Sequence, residues 1–280
     1  MWGGSIPATK VALESFGPLT LAAARLVLAA ALFLAVLGPR ALGRLDRREM
    51  ARMAALGVVG FTGTQAFQAL GTTATDAATA SVLAATAPLW IAVLAVLLLG
   101  ERLSVGVIGG LVLALVGVAA ISGLKLATVS ELGMTVRGNG VVLLSGATVA
   151  LYTVAGKDLV RRHPPLLLSG VSCLGGALAA LPLAALELTV HPPGPTIVGW
   201  VMVFYLGVLV TFVGFLVWFW GLQAVSAARA GALMFLQPLS GLALSVLALG
   251  DRLTPTFLLG AALVLLGVYV TARSGAETTD

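Results

Sequence analysis

Charged residues are scarce in this chain. Asp, Glu, Lys and Arg occupy only 10% of its 280 positions, whereas hydrophobic residues occupy 59%. Soluble domains carry about 25% charged residues, so this composition excludes an ordinary water-soluble fold. The long apolar runs do not alternate apolar and polar residues, which excludes membrane β-strands. They predict transmembrane helices, in which every backbone group is satisfied within its own segment.

Residues that carry chemistry are also few. Cys173 is the single cysteine, which excludes an internal disulfide. The histidines, His163 and His191, stand beside prolines with no neighbouring nucleophile, and neither a Cys/His metal spacing nor a glycine-rich phosphate loop occurs. We therefore expect neither an enzyme nor a cofactor or metal. The net charge of +5 is not gathered on a soluble face, so nucleic acid is not expected as a partner.

The few charges fall between apolar runs and thereby delimit them. The pattern predicts an all-α integral membrane protein with ten transmembrane helices. The predicted spans are about 2–16, 18–38, 51–71, 77–99, 104–123, 139–157, 166–187, 197–222, 228–249 and 255–272. Residues 1–16 cover only about 24 Å at 1.5 Å per residue, less than the roughly 30 Å of hydrocarbon. We therefore expect a few more apolar residues upstream of Met1 in the natural chain.

Lys and Arg are distributed unevenly between the connections. If the N-terminus is cytoplasmic, eleven of them face the cytoplasm and three face outward. The eleven are Arg40, Arg44, Arg47, Arg48, Arg52, Arg102, Lys157, Arg161, Arg162, Arg229 and Arg273. The three are Lys125, Arg137 and Arg252, while Lys10 and Arg25 lie inside spans. The positive-inside rule then predicts a multi-pass protein of the inner (cytoplasmic) membrane with both termini in the cytoplasm.

Two stretches of the chain resemble each other. "ATAPLWIAVLAVLLLGERLS" begins at Ala85 and "FLQPLSGLALSVLALGDRLT" at Phe235. Residues 56–118 match those 150 positions later at 23 of 63 places without a gap, whereas about one position in nine would match by chance. Nearer the start the offset becomes 147, since Lys10 pairs with Lys157 and Pro18 with Pro165.

The repeat predicts two halves of five helices each, around a central cavity. Because five is odd, the second half enters the membrane inverted, as in many secondary transporters. The predicted organisation is a first repeat at 1–123, a connecting loop at 124–138, a second repeat at 139–273 and a cytoplasmic tail at 274–280. The alternative is a duplicated scaffold with no transport role.

Several motifs resemble a known family. "WGGSIPATK" at the start, the helix ends "AP…LLLGERLS" and "QPLSG…LGDRLT", and the runs "GGLVLALVGV" and "GAALVLLGVYV" look like the two EamA-type repeats of the drug/metabolite transporter superfamily. The resemblance covers nearly the whole chain and extends to bacterial amino-acid exporters of that superfamily. It implies a basket of ten helices in which spans 1, 3, 4, 6, 8 and 9 line the cavity and spans 5 and 10 stand outside it.

Polar side chains inside spans are rare and usually face protein or water. One such stripe in span 3 has a spacing of three, which places its members on one helix face. It consists of Thr62, Gln65 and Gln68, and the positions 150 later are Phe212, Phe215 and Trp218. A cavity that is polar on one wall and aromatic on the other would suit a small zwitterion with an apolar or aromatic side chain. Alternatively, the glutamines bond neighbouring helices and the aromatic rings face lipid.

Prolines interrupt two spans at equivalent positions. Pro88 and Pro238 remove backbone hydrogen bonds and expose carbonyls that a substrate ammonium could use, or they form kinks that shape the cavity wall.

Four further side chains are candidates for substrate binding. Trp90 and Gln237 lie next to the two prolines and are expected near the cavity by resemblance, although Trp90 could be an ordinary packing residue. Tyr152 and Trp2, in spans 6 and 1, could add hydrogen-bonding aromatic surface or belong to an interfacial belt.

Glycines and turn acids have structural interpretations. Glycines seven apart on spans 5 and 10 favour close helix packing. They are Gly110, Gly117, Gly260 and Gly267. Glu101 and Asp251 sit in turns, where we expect each to meet the start of the next helix.

The sequence predicts a secondary transporter that exports small metabolites, most plausibly amino acids including aromatic or apolar ones, by alternating access. Proton coupling usually needs an ionisable group within the membrane. Glu187 ends span 7, which leaves Glu14 as the one acid within a span, but Glu14 lies near the outer surface with Lys10 a turn away. We therefore expect an uncoupled facilitator that functions as a monomer in the bilayer. The alternative is a proton-coupled exporter of cationic drugs that uses Glu14.

Overall fold

The computed structural model describes residues 2–38, 45–74, 83–121, 132–190, 192–237, 239 and 255–274. Every regular element in these ranges is a helix, as the apolar runs predict. The α-helices are α1 (Ser5–Ala12), α2 (Pro18–Leu37), α3 (Arg47–Gly57), α4 (Thr64–Ala74), α5 (Ala87–Leu99), α6 (Val105–Ile121), α7 (Leu132–Val160), α8 (Pro165–Val190), α9 (Ile197–Phe204), α10 (Gly214–Leu222), α11 (Ala227–Ala232) and α12 (Pro255–Ser274). Short 3₁₀ turns occur at Trp2–Gly4 and Leu233–Phe235.

Within the described residues, four helical stretches are long and apolar enough to cross a membrane. They are Pro18–Leu37, Gly138–Val160, Pro165–Val190 and Ile197–Leu222. α7 begins seven residues before the predicted start of span 6, although its apolar part begins at Gly138, next to the predicted boundary. The first residues of predicted span 4 and half of span 9 lie outside the described residues, so the count of ten remains a prediction.

In the part of the chain that the structure describes, two helical stretches contain π-helical turns. The first π segment, Val58–Gly63, joins α3 to α4, and the second, Tyr205–Val213, joins α9 to α10. Their last residues are 150 positions apart, the offset of the sequence repeat. π turns are rare and are found mostly at functional sites, so they mark these two places for attention.

The chain divides into two compact units that do not coincide with the two sequence halves. The first unit contains residues 5–70 and 151–224, and the second contains residues 2–4, 71–150 and 225–280. Each unit therefore combines helices from both halves of the sequence.

The first unit packs closely where α8 meets α3 and the first π segment. A Cβ at Gly57 would overlap the backbone carbonyl of Ser172, and one at Gly175 would lie 2.5 Å from the carbonyl oxygen of Ala54. The thiol of Cys173 donates to the carbonyl of Leu26 on α2 at 3.6 Å. The missing side chains thus let backbones approach, which is how helices associate in lipid.

The second unit contains a glycine contact between α6 and α12. A Cβ at Gly110 would lie 2.6 Å from the carbonyl oxygen of Gly267, and one at Gly117 would lie 2.6 Å from that of Gly260. The contacts are reciprocal. Gly110 meets Gly267, the repeat equivalent of Gly117, and Gly117 meets Gly260, the repeat equivalent of Gly110. Such exchange of partners is the pattern of an interface with two-fold symmetry.

Candidate functional site

Arg25 lies in the middle of α2, within the apolar sequence "LAAARLVLAA", and is only 3% exposed. Its Nη1 donates to Oε1 of Gln65 at 2.8 Å. Its Nη2 and Nε donate to Oγ1 of Thr211 at 3.1 and 3.3 Å, and Nη2 also reaches the carbonyl of Leu206 at 3.5 Å. A guanidinium in a membrane helix is thus held by oxygens of two other helical stretches.

The acceptors around Arg25 are all neutral. Among the described residues, no Asp or Glu forms an ion pair with its guanidinium. A buried cation is costly in hydrocarbon, and such residues almost always face a bundle interior or a cavity and serve a function. Arg25 is therefore the most informative polar residue in the first unit.

The second π segment shapes the acceptor side. Thr211 Oγ1 donates to the carbonyl of Leu206 at 2.8 Å, five residues earlier in the chain. Because that hydroxyl proton is used on Leu206, the oxygen lone pairs face Arg25 and accept from it. The π geometry thereby aims both a carbonyl and a hydroxyl oxygen at the same guanidinium.

A narrow cavity borders Arg25. Its lining consists of Thr9, Leu21, Ala22, Arg25, Gln65, Gln68 and Ala69, and its volume is about 10 Å³, which is about the room that one water molecule or one carboxylate oxygen needs. The Thr9 hydroxyl is 4% exposed and has no hydrogen-bond partner within the described residues. A cation, an amide and an unpartnered hydroxyl therefore converge on this space.

Aromatic rings form a second cluster in the same unit. The ring centroid of Phe61 lies 5.0 Å from that of Tyr152 and 4.6 Å from that of Phe215. Tyr152 is also 5.7 Å from Phe215 and 5.1 Å from Phe219. The Tyr152 hydroxyl lies beside Ser172, but its geometry is not that of a hydrogen bond. These offset and edge contacts are typical of packed aromatic side chains.

The residues of the predicted polar stripe and their equivalents 150 positions later lie in different surroundings in the structure. Gln65 and Gln68 lie together beside Arg25. Thr62 instead donates to the carbonyl of Gly176 on α8 at 2.6 Å and therefore links two helices. Tyr152 and Phe215 meet in the aromatic cluster, whereas Trp218 is half-buried in α10.

The remaining candidates lie in the second unit. Trp2 belongs to the 3₁₀ turn at the start, and Trp90 is 40% exposed on α5. Pro88 is in the first turn of α5, directly after a break in the helix at residues 85–86. Gln237 is half-buried, and Pro238 lies outside the described residues.

Two acids bind helix N-termini. Glu187 on α8 accepts hydrogen bonds from the backbone of Leu19 at 3.1 Å and from the backbone and hydroxyl of Thr20, each at 2.7 Å. Glu101 accepts from Ala227 at 2.9 Å and Ala228 at 3.4 Å at the start of α11. Glu101 thus meets the start of a helix that lies far along the chain, where unpaired N–H groups are available.

Sequence reasoning missed three site residues. Arg25 carries a signal, since an arginine within a 20-residue apolar helix is exceptional, but the positive-inside rule concerns only charges outside the spans. Thr9 and Thr211 carried none, because a threonine inside a span usually bonds its own helix backbone.

Comparisons with known proteins identify relatives along the whole chain. The model of the EamA-like transporter family matches residues 1–123 and 136–273. A protein of Archaeoglobus fulgidus named as a transporter is 27% identical and covers 97% of this chain and 95% of its own length. A "probable terminal-alkyne amino-acid exporter" of Streptantibioticus cattleyicolor is 28% identical over 97% of this chain and 90% of its own. A solved crystal structure superposes with a TM-score of 0.82 at 22% identity, covering 100% of this chain and 95% of that one, which shows a shared fold.

Proposed function

This chain belongs to the EamA-like transporter family of the drug/metabolite transporter superfamily, and we propose that it exports amino acids, including aromatic or apolar ones, as an uncoupled facilitator. Membership makes it a membrane transporter of small molecules, and the names of its relatives are those of transporters rather than enzymes. The substrate and the absence of ion coupling are the proposal.

The observation that carries the substrate proposal is the buried Arg25 with its neutral partners. A fixed positive charge repels a cationic drug and attracts a molecule that brings a carboxylate. The aromatic cluster of the same unit provides apolar surface for a side chain. The relative named as an amino-acid exporter supports the same substrate class.

Alternating access would follow from ten helices in two inverted repeats. Two observations support that arrangement. The family model matches two separate stretches of the chain, and the glycines of α6 and α12 exchange partners as an inverted pair would. The positive-inside bias supports an inner-membrane protein with both termini in the cytoplasm.

The acids support uncoupled transport. Glu14 is exposed near the end of the first helical stretch. Glu187 and Glu101 already bind helix N-termini, and Asp158 pairs with Arg162 at 2.5 Å on the surface. None of these carboxylates lies beside the buried Arg25 cluster, where a coupling proton would have to act.

Proteoliposomes test the proposal directly. Vesicles loaded with labelled phenylalanine or leucine should release it down its gradient in the presence of the protein, and an imposed pH gradient should not cause accumulation. Vesicles with a labelled lipophilic cation provide the contrast. Proton-driven accumulation of the cation, lost in Glu14→Gln, together with no amino-acid flux, would replace this proposal by a proton-coupled exporter of cationic drugs.

A further inference from the structure

We propose that Arg25 is the carboxylate receptor of this transporter, and that a substrate carboxylate displaces neutral oxygens from its guanidinium in each transport cycle. This inference rests on the proposed amino-acid function and specifies which part of the substrate the protein recognises. It predicts selectivity for a free carboxylate rather than for an amine.

The bonding of Arg25 permits such an exchange. A guanidinium has five N–H donors in a planar fork and forms its strongest bonds with carboxylates, two at a time. Here it has one short contact, to Gln65 at 2.8 Å, and longer ones to Thr211 and Leu206 at 3.1 to 3.5 Å. Because these acceptors are neutral, a carboxylate would bring both better geometry and the compensating charge.

An unpartnered hydroxyl and an amide border the space beside Arg25 that a carboxylate oxygen would occupy. The small cavity beside Arg25 is bordered by Thr9 and Gln68, and the Thr9 hydroxyl has no partner among the described residues although it is buried. A hydroxyl and an amide can both donate to the second carboxylate oxygen. The cavity holds about one such oxygen, so a whole amino acid fits only after this region opens.

Arg25 is better placed to recognise a substrate than to reinforce the fold. A purely structural polar contact would be satisfied by a neutral side chain, which avoids the cost of a buried charge. Arginine also cannot lose its proton in the membrane, so its charge is present in every state of the cycle. A permanent charge with exchangeable neutral partners is what repeated capture and release of a carboxylate require.

The first test uses the wild-type protein and needs no substitution. Purified protein is titrated by calorimetry with phenylalanine, phenylalaninamide, phenethylamine and 3-phenylpropionate, and the same four compounds compete with labelled phenylalanine efflux. We expect phenylalaninamide and phenethylamine to bind at least about 100-fold more weakly than phenylalanine, because a site built around a polar group rejects analogues that lack it. The acid without the amine, 3-phenylpropionate, should compete.

The second test uses variants. Arg25→Lys keeps the charge but loses the planar fork, and we expect it to fold and to lose most of the discrimination between phenylalanine and phenylalaninamide. Thr9→Val removes the unpartnered hydroxyl without touching the bonds of Arg25, and should weaken carboxylate binding by about 10-fold, the loss of one hydrogen bond. Thr62→Val is the matched control, since Thr62 binds a helix carbonyl instead, and its selectivity should equal that of wild type.

The outcomes separate the two proposals. Amino-acid efflux with equal binding of phenethylamine and phenylalanine would overturn the role of Arg25 and leave the proposed function standing. Efflux of none of the amino acids would overturn the proposed function and this inference together. If Arg25→Lys does not fold, the wild-type panel decides alone, and preserved discrimination in a folded Arg25→Lys protein would also count against the receptor.

Discussion

The two π segments occupy equivalent positions of the sequence repeat, yet they surround Arg25 with different chemistry. The first, Val58–Gly63, is followed by Gln65, whose amide oxygen accepts from the guanidinium. The second, Tyr205–Val213, contributes the Thr211 hydroxyl from within the π turns. At the positions that match Gln65 and Thr211 across the repeat stand Phe215 and Phe61, which pack against each other at 4.6 Å.

This comparison shows what the two places share and where they differ. Both places contain a π segment, while each pair of positions 150 residues apart has one polar and one aromatic member. Two of these four positions supply neutral acceptors to Arg25, and the other two supply rings to the aromatic cluster. Such asymmetry suits a zwitterionic substrate with an apolar side chain.

The largest expected effect concerns two glycines that are 150 positions apart, Gly57 directly before the first π segment and Gly207 inside the second. Gly57 and its equivalent Gly207 are both in close contacts, but a Cβ at Gly57 overlaps the Ser172 backbone, whereas one at Gly207 meets the flexible end of Leu28 at 2.9 Å. We expect Gly57→Ala to lower the free energy of unfolding by about 3 kcal/mol and Gly207→Ala by about 1 kcal/mol. Thermal unfolding in detergent measures both, with Gly221→Ala, whose Cβ would meet nothing within 4 Å, as control. Equal losses at both glycines would show that packing around the two segments is equivalent.

Substitution of the polar residue Gln65 should lower the free energy of unfolding more than substitution of the aromatic residue at the equivalent position, Phe215. Gln65→Leu removes the shortest hydrogen bond of a buried guanidinium and should cost about 2–3 kcal/mol. Phe215→Leu keeps an apolar side chain in the aromatic cluster and should cost about 1 kcal/mol. Urea or thermal unfolding of the two variants compares them. A larger loss at Phe215 would indicate that the aromatic cluster, not the Arg25 cluster, is the more sensitive part of this unit.

The hydroxyl inside the second π segment has a smaller expected role. Thr211→Val keeps the shape and removes one acceptor from Arg25, which retains Gln65 and the Leu206 carbonyl, so we expect a loss of about 1.5 kcal/mol. Thr62→Val removes a neutral bond to Gly176 and should cost about 1 kcal/mol. If the two losses are reversed, the bond to the guanidinium contributes less than an ordinary bond between helices.

The smallest expected effect lies at the start of α2, the helix that carries Arg25 toward both π segments. Glu187→Gln keeps one acceptor for Leu19 and Thr20 but removes the negative charge at the helix N-terminus, so we expect a loss of about 0.5 kcal/mol. The Arg25 cluster should be unaffected, which the phenylalanine titration would confirm. Altered selectivity in this variant would show that the position of α2 controls the site.

Much of this fold is readable from the sequence because hydrocarbon imposes one simple rule. Scarce charges and apolar runs predict helices, and the apolar boundary at Gly138 is almost where the charge pattern places it. The repeated motif, GERLS in the first half and GDRLT in the second, indicates the transporter family, and the family model confirms that family. These signals are local or repeated, so they survive without knowledge of tertiary contacts.

The candidate site was less predictable because it depends on partners far apart in sequence. Gln65 and Gln68 were recognised as a polar stripe, but nothing in span 3 indicates that Arg25 is their neighbour. Thr62 belongs to the same stripe by spacing and yet bonds α8. The π segments explain part of this difficulty, since regular spacing of 3.6 residues no longer defines a single face across them.

A π turn accommodates one residue more than an α turn, and each residue of a helix advances the side chains by about 100°. Gln65 therefore points where it does because of the register set by residues 58–63, not because of its own position in an ideal helix. Removal of a single residue there would leave the composition and hydropathy of the span almost unchanged and turn Gln65 and Gln68 away from Arg25. In this protein the length of a membrane helix, counted residue by residue, determines which side chains face Arg25, and hydropathy does not contain that information.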